Sequence, residues 1–212
     1  MISLSLKAYI FAIAKTNLPV LSRRNIARKT LAGMQWTSEN LPPEYYYSTA
    51  DDDFLIDMAV FEDIVNQNLA LQKRHSWPIF PFVCTYHVLP FPHAVRDSKR
   101  KSFVPVEEYP WPDWPRACLG GFYTSKADVI SRLWLFTKDE VIVRMDDVWI
   151  TGVLRMKMGI PDYAVVQPFQ YAATHYSGFR DKGDLRDKDF MKEPWAAATK
   201  KLFQRPHCVC IV

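Results

Sequence analysis

The carboxylates are the residues whose type and spacing could do chemistry. Asp51, Asp52 and Asp53 are consecutive and run into the apolar Phe54, Leu55 and Ile56. Three adjacent carboxylates repel one another, so a counter-charge is expected among them. Hard divalent cations take carboxylate oxygens, and Mg2+ or Mn2+ held by one or two aspartates plus substrate phosphates suits this spacing. Taken alone, the run reads first as a solvated acidic turn. An EF-hand is excluded, because no glycine or twelfth-position glutamate follows in the required spacing. A second pair, Asp146 and Asp147, opens an apolar stretch. Acids at a helix start are favoured by capping and by the helix dipole. The sharper reading is a general base that takes a proton from an acceptor hydroxyl. A third group runs Glu107-Glu108-Tyr109-Pro110, then Trp114-Pro115, then Cys118-Leu119-Gly120-Gly121-Phe122-Tyr123. Its paired glycines permit a tight turn or a close approach of backbone to ligand.

The elements that must position these groups follow from periodicity. Residues 22–39 read as a helix: Ser22 can cap it, Ala27, Leu31 and Met34 share a face, and Leu41-Pro42-Pro43 ends it. Tyr45 to Thr49 reads as a short strand that delivers the chain to Asp51, where an α/β sheet binds ligands. A second helix presents Phe61, Ile64, Val65 and Leu69 on one side. Residues 79–89 have strand character, with Pro81 pointing to an edge or entry position. The Pro- and Trp-rich stretch 90–116 reads as ordered loop. Helices are expected at about 126–137 and about 147–158, the second stopped by Gly159. Strands alternating with helices argue an α/β fold.

These segments resemble, in order, the motifs of the β-1,3-galactosyltransferase family (glycosyltransferase family 31). Asn25 to Trp36 is similar to its N-L-x-x-K-T-x-x-G-x-x-W, and Tyr47 to Ile56 to its Y-x-x-K-x-D-D-D-x-F-V. Lys101 to Pro110 is similar to K-W-Y-V-x-x-E-E-Y-P, and Trp114 to Tyr123 to Y-P-x-Y-C-S-G-G-G-Y. Asp146-Asp147-Val148 with Gly152 parallels E-D-V-Y-V-G, and Met158-Gly159-Ile160 the L-G-I after it. The resemblance covers about residues 22–160. It implies a GT-A-like fold, a mixed sheet flanked by helices, and metal-dependent inverting transfer of a hexose or N-acetylhexosamine from a UDP-sugar to a glycan acceptor on glycoprotein or glycolipid. It further implies a β-1,3 linkage and residence in the Golgi lumen. Carried over residue by residue, Asp53 would coordinate Mn2+ (or Mg2+), with Asp51 and Asp52 supporting metal and nucleotide. His175 is a candidate third metal ligand, because family members often supply a C-terminal histidine. Asp147, with Asp146 as the alternative, would be the base. Glu107, Glu108, Gly120 and Gly121 would shape the donor and acceptor pocket. Inversion by direct displacement needs one base and a Lewis acid on the leaving diphosphate, and no covalent nucleophile. The acidic clusters Asp51–Asp53 and Asp147 are therefore expected within about 10 Å of each other across one cleft.

Departures from the pattern are specific. Leu119 stands for a serine, Ser48 for a lysine, and Asp147 to Gly152 is one residue longer than D-V-Y-V-G. The family also has a preceding strand-rich half with an R-x-x-I-R-x-T-W signature, and a membrane anchor; neither is found in this sequence. The expectation is a GT-A-like domain without its N-terminal strands, incompetent for transfer by itself, since one βαβ unit alone takes about 30 residues. The alternative is a truncated, inactive glycan-binding relative. The organisation reads as an N-terminal segment 1–21, a partial glycosyltransferase domain 22–180 and a charged extension 181–212.

Composition narrows the remaining classes. The chain has 212 residues, 49% hydrophobic, so a sizeable core is available and disorder is excluded. A net charge of +4 without a Lys/Arg stripe interleaved with aromatics argues against a nucleic-acid partner. Lys7 and Lys15 interrupt the apolar start, which reads as a helix or strand packed on the domain, with a weak signal-anchor as the alternative. Four cysteines are too few for a disulfide scaffold and lack paired zinc spacing, and Val209 occupies the position where a prenylation box needs cysteine. Pro42-Pro43-Glu44-Tyr45 has the form of a WW-domain ligand, but a helix-ending loop before a strand accounts for it.

Overall fold

Helix α1 spans Arg23–Asn40 and leads to strand β1, Tyr46–Ala50. Strand β2 (Phe54–Ile56), helix α2 (Met58–Arg74) and strands β3 (Phe82–Val83) and β4 (His87–Val88) come next. Beyond the loop that follows lie β5 (Cys118–Leu119), β6 (Phe122–Lys126) and helix α3 (Ala127–Phe136). A broken helix then runs as α4 (Asp146–Val148), a π-helical stretch (Trp149–Leu154) and α5 (Arg155–Lys157), before β7 (Val165–Val166) and β8 (Ala173–His175). The computed structural model describes residues 23–50, 54–84, 87–89, 93–120, 122–168 and 172–175. The segment 1–21, Ser22, Asp51–Asp53, Gly121 and the extension 181–212 lie outside the described residues.

Four strands form a mixed sheet in the order β1-β6-β3-β7. Strand β6 is antiparallel to both neighbours, with Tyr47 opposite Ser125 and Val83 opposite Thr124, whereas β3 and β7 run parallel. Side chains alternate across a strand, and here alternation sorts the core into two layers. Tyr47, Phe82 and Tyr123 point to the side covered by Met34 of α1 and by Val129, Ile130 and Leu133 of α3. Tyr46, Val83 and Phe122 point to the side covered by Val60, Phe61, Ile64 and Val65 of α2. The result is a helix–sheet–helix sandwich of mixed α/β class. Strands β2 with β8 and β4 with β5 make two further antiparallel ladders. Pro81 sits immediately before β3, an interior strand, so of its two expected positions the entry position is the one adopted.

Local chemistry sets the boundaries. Asp57 caps α2, its Oδ1 accepting from the backbone N–H of Ala59 (3.1 Å) and Val60 (3.0 Å). Gly159 ends the last helix at φ +71, where a side chain would be strained. A disulfide joins Cys84, just past β3, to Cys118 at the start of β5, with Cα atoms 5.1 Å apart. Cys208 and Cys210 lie outside the described residues. Among the described residues no helix is long and apolar enough to cross a membrane.

Candidate functional site

Asp147 lies in the first turn of α4 and is 8% exposed. Its carboxylate rests directly on Gly120: a Cβ at that glycine would stand 2.8 Å from Asp147 Oδ2. The second aspartate is held from another direction, as Thr30 Oγ1 of α1 donates to Asp146 Oδ2 at 2.6 Å. One turn above Thr30, Gly33 leaves room for Tyr47, whose hydroxyl lies 3.3 Å from where a Cβ at Gly33 would be. The lysine-threonine and glycine of the first motif thus have separate uses: the threonine fixes a carboxylate and the glycine admits a phenol.

Two buried phenols face these carboxylates. Burial, then the negative charge of Asp146, holds the Tyr47 hydroxyl far above its usual range. Tyr123 is raised for the same first reason, with Tyr47, Asp146 and Asp147 adding to it and the neighbouring Thr49 opposing. Both phenols stay neutral beside the acids.

The backbone under Asp147 is anchored rather than left to the helix alone. Thr151 Oγ1 donates to the Asp147 carbonyl (2.7 Å) and accepts from the Cys118 N–H (2.9 Å). Gly152 permits this approach, because a Cβ there would meet Ala117 Cβ at 2.9 Å and Pro115 Cγ at 3.2 Å. Below it, the fully buried Arg155 donates through Nε to the Thr151 carbonyl (2.8 Å) and through Nη2 to the Arg116 carbonyl (3.1 Å) and Asp162 (2.6 Å); Nη1 reaches the Ile160 carbonyl. Burial pulls the Arg155 guanidinium down and Asp162 opposes that. The stretch from Trp149 to Leu154 is π-helical, with the Arg155 N–H reaching the Ile150 carbonyl five residues back. A π-turn carries one residue more than an α-turn, which is the physical form of the extra residue between Val148 and Gly152.

The glutamates part company. Glu108 is buried, and its carboxylate takes two bonds from the Arg144 guanidinium (2.8 and 3.0 Å) and one from the Arg144 N–H (3.2 Å). This pair fixes the loop to the segment that leads into Asp146, while Glu107 is exposed. His175 belongs to β8 and pairs with Phe54, the residue after Asp53. The structure therefore brings together Asp146, Asp147 and Gly120, attaches Glu108 through Arg144, and sets the backbone of His175 one position from the acidic run. Asp51, Asp52, Asp53 and Gly121 lie outside the described residues, so their separation from Asp147 is not measured. Among the described residues no group of three or more His, Cys, Asp or Glu side chains is poised to hold a metal. Thr30, Tyr47, Thr151 and Arg155 are not among the site residues expected from the sequence; the first three fall inside quoted motifs, which is the signal that could have found them.

Residues 22–166 match the family model described as galactosyltransferase. The chain is 25% identical to mouse (Mus musculus) beta-1,3-galactosyltransferase 5 over 136 residues, covering 64% of this chain and 41% of that protein. It is 22% identical over 176 residues to beta-1,3-galactosyltransferase brn of Drosophila melanogaster, covering 81% of this chain and 52% of the relative. With mouse lactosylceramide 1,3-N-acetyl-beta-D-glucosaminyltransferase it shares 28% over 140 residues, 66% of this chain and 35% of the other. The chain thus matches between about a third and a half of the length of these relatives.

Proposed function

Because this chain belongs to the galactosyltransferase family, we propose that it acts as an inverting, metal-dependent glycosyltransferase with a GT-A-like fold. It moves a hexose or N-acetylhexosamine from a UDP-sugar to a hydroxyl of a glycan. The names of the relatives, galactosyl- and N-acetylglucosaminyltransferases that form 1,3 linkages, support the reaction class and leave both donors open.

The observation that carries the reading is the seat of Asp147: a buried carboxylate set against a glycine, with its backbone tied by Thr151 to Cys118. A side chain held this way takes the proton from an acceptor hydroxyl without first reorganising. Asp146 beside it is held by the Thr30 hydroxyl. Gly120 lets the Asp147 carboxylate pack directly against the backbone, where any larger residue would displace it. Asp53 and Asp51, together with His175, would hold Mn2+, and oxygen donors with one imidazole suit that ion. When bound, the metal supplies charge neutralisation for the departing diphosphate. The Cys84–Cys118 disulfide supports an oxidising compartment, which accords with a Golgi-lumen location.

The test is UDP binding with and without Mn2+, measured by calorimetry beside turnover. Asp53→Ala should abolish Mn2+-dependent UDP binding. Asp147→Asn should preserve binding and cost about 10²–10⁴-fold in rate. Equal loss of nucleotide affinity in both variants would overturn the roles. Glycan binding without any UDP binding by the native chain would replace the reading with a non-catalytic binding module.

A further inference from the structure

Three aromatic rings form a stack that the carboxylate site does not use. His75 lies on Trp77 with ring centroids 5.4 Å apart and planes at 21°. Trp77 in turn lies on Tyr163 at 5.3 Å and 29°. The first two flank Ser76, the one non-glycine with positive φ (51°) among the described residues. A left-handed serine costs roughly 1–2 kcal/mol, and strain of this kind marks a conformation the surroundings insist on. Its effect here is to let residues two apart turn their rings face to face. Trp77 is pinned further, its N–H donating to the Gln72 carbonyl (3.0 Å) and its carbonyl accepting from Gln72 Nε2 (3.3 Å).

Tyr163 ends the stack on the tight turn Asp162–Ala164 and is 50% exposed. Beside it opens a groove of about 540 Å3, lined by Arg116, Asp162, Tyr163, Val165, Val166 and Gln167. Its polar side chains are oriented in advance. Arg116 Nε donates to the Val165 carbonyl (3.0 Å), Asp162 receives the buried Arg155, and Gln167 Oε1 accepts from the Val88 N–H (3.0 Å). A guanidinium held through Nε still has its terminal nitrogens to donate, and a carboxylate has several acceptor sites. An aromatic platform next to planar, multivalent hydrogen-bonding groups matches one ligand shape: a ring with an apolar C–H face and a rim of hydroxyls.

We propose that this groove is a second carbohydrate-binding surface, in which one pyranose of a glycan stacks on Tyr163 while its hydroxyls engage Arg116 and Asp162. The inference rests on the glycosyltransferase reading only in that the acceptor is a glycan; the groove would hold a residue of that glycan other than the one that reacts.

The probes are methyl β-galactopyranoside, methyl β-N-acetylglucosaminide and lactose, titrated into the full chain and read by saturation-transfer difference NMR. Tyr163→Ala should weaken the best-bound probe about tenfold, with an unchanged thermal midpoint because the ring is half exposed. Tyr163→Phe, which keeps the platform, should retain most of the affinity, and Asp147→Asn should leave it unaltered. Binding undiminished in Tyr163→Ala, or no probe bound by the native chain, would overturn the proposal. Mn2+-dependent UDP binding measured on the same samples separates the two ideas. If it persists when the groove fails, the transferase reading stands alone; if it is absent while Tyr163 governs sugar binding, the groove stands and the transferase reading falls.

Discussion

Reduction of the Cys84–Cys118 disulfide should destabilise the domain by about 4 kcal/mol. The bridge spans 34 residues, and the loop-closure entropy it removes from the unfolded chain comes to about 3.8 kcal/mol at 25 °C. For a domain of this size each kcal/mol shifts the midpoint by roughly 2–4 °C, so the reduced protein should melt roughly 8–15 °C lower. Both sulfurs are fully buried, so the thiols of the reduced state remain packed and add no large hydration term. The assay is calorimetry of oxidised and reduced protein, with Cys208→Ser and Cys210→Ser in both arms so that only this pair changes redox state. Thiol titration under native conditions should find neither Cys84 nor Cys118 reactive before reduction. A second consequence follows from the Cys118 N–H that holds Thr151 and, through it, Asp147. Turnover should fall at temperatures well below the reduced midpoint, as the strand under the base loosens before the domain unfolds. Midpoints within about 2 °C of each other, or two freely titrating thiols in the folded protein, would refute the reasoning.

Four further outcomes can be measured. Gly120→Ala pushes a methyl into Asp147 Oδ2, so turnover should drop about 10–100-fold with little change in melting temperature. Gly152→Ala meets Ala117 and Pro115 instead and should cost about 1–3 kcal/mol by overpacking, despite alanine's better helix propensity. Glu108→Gln removes the charge that binds Arg144, a pair exposed only on the arginine side; chemical denaturation should show a loss of about 2 kcal/mol. The alkaline limb is set by Tyr47 and Tyr123, whose phenols are raised in the fold. Their contribution is complete below the unfolded value near 10, and above it the unfolded chain loses protons that the fold retains. Stability should therefore decline from about pH 10 by roughly 1.4 kcal/mol per pH unit for each tyrosine, followed by tyrosinate absorbance.

The long helices were legible because each buries one face: Ala27 and Met34 in α1, Phe61, Ile64 and Val65 in α2, Ile130 and Leu133 in α3 are buried in the structure. The stop at Gly159 was legible from residue type alone. The short ladders were not, since two- and three-residue strands such as β4 and β5 are too brief to alternate. The disulfide pairing was illegible because any of the four cysteines could pair with any other. Within the site, the resemblance put Gly120 and Asp147 in one pocket, but their direct contact appears only in the structure. The bond from Thr30 to Asp146 crosses 116 residues, a distance at which no local pattern speaks. The break into π-helix was visible only as a surplus residue, and its meaning needed the backbone.

That surplus residue bears on how such a chain tolerates changes of length. Adding one residue to a regular α-helix rotates everything after it by about 100° and advances it by about 1.5 Å. Here the extra residue is confined to the wide turn at Trp149–Leu154. The guanidinium of Arg155 still enters the interior, and the chain still leaves at Gly159 toward β7. The turn can work as a local expansion joint, because a π-turn takes up an added residue as extra girth in one helical turn instead of rotating everything after it.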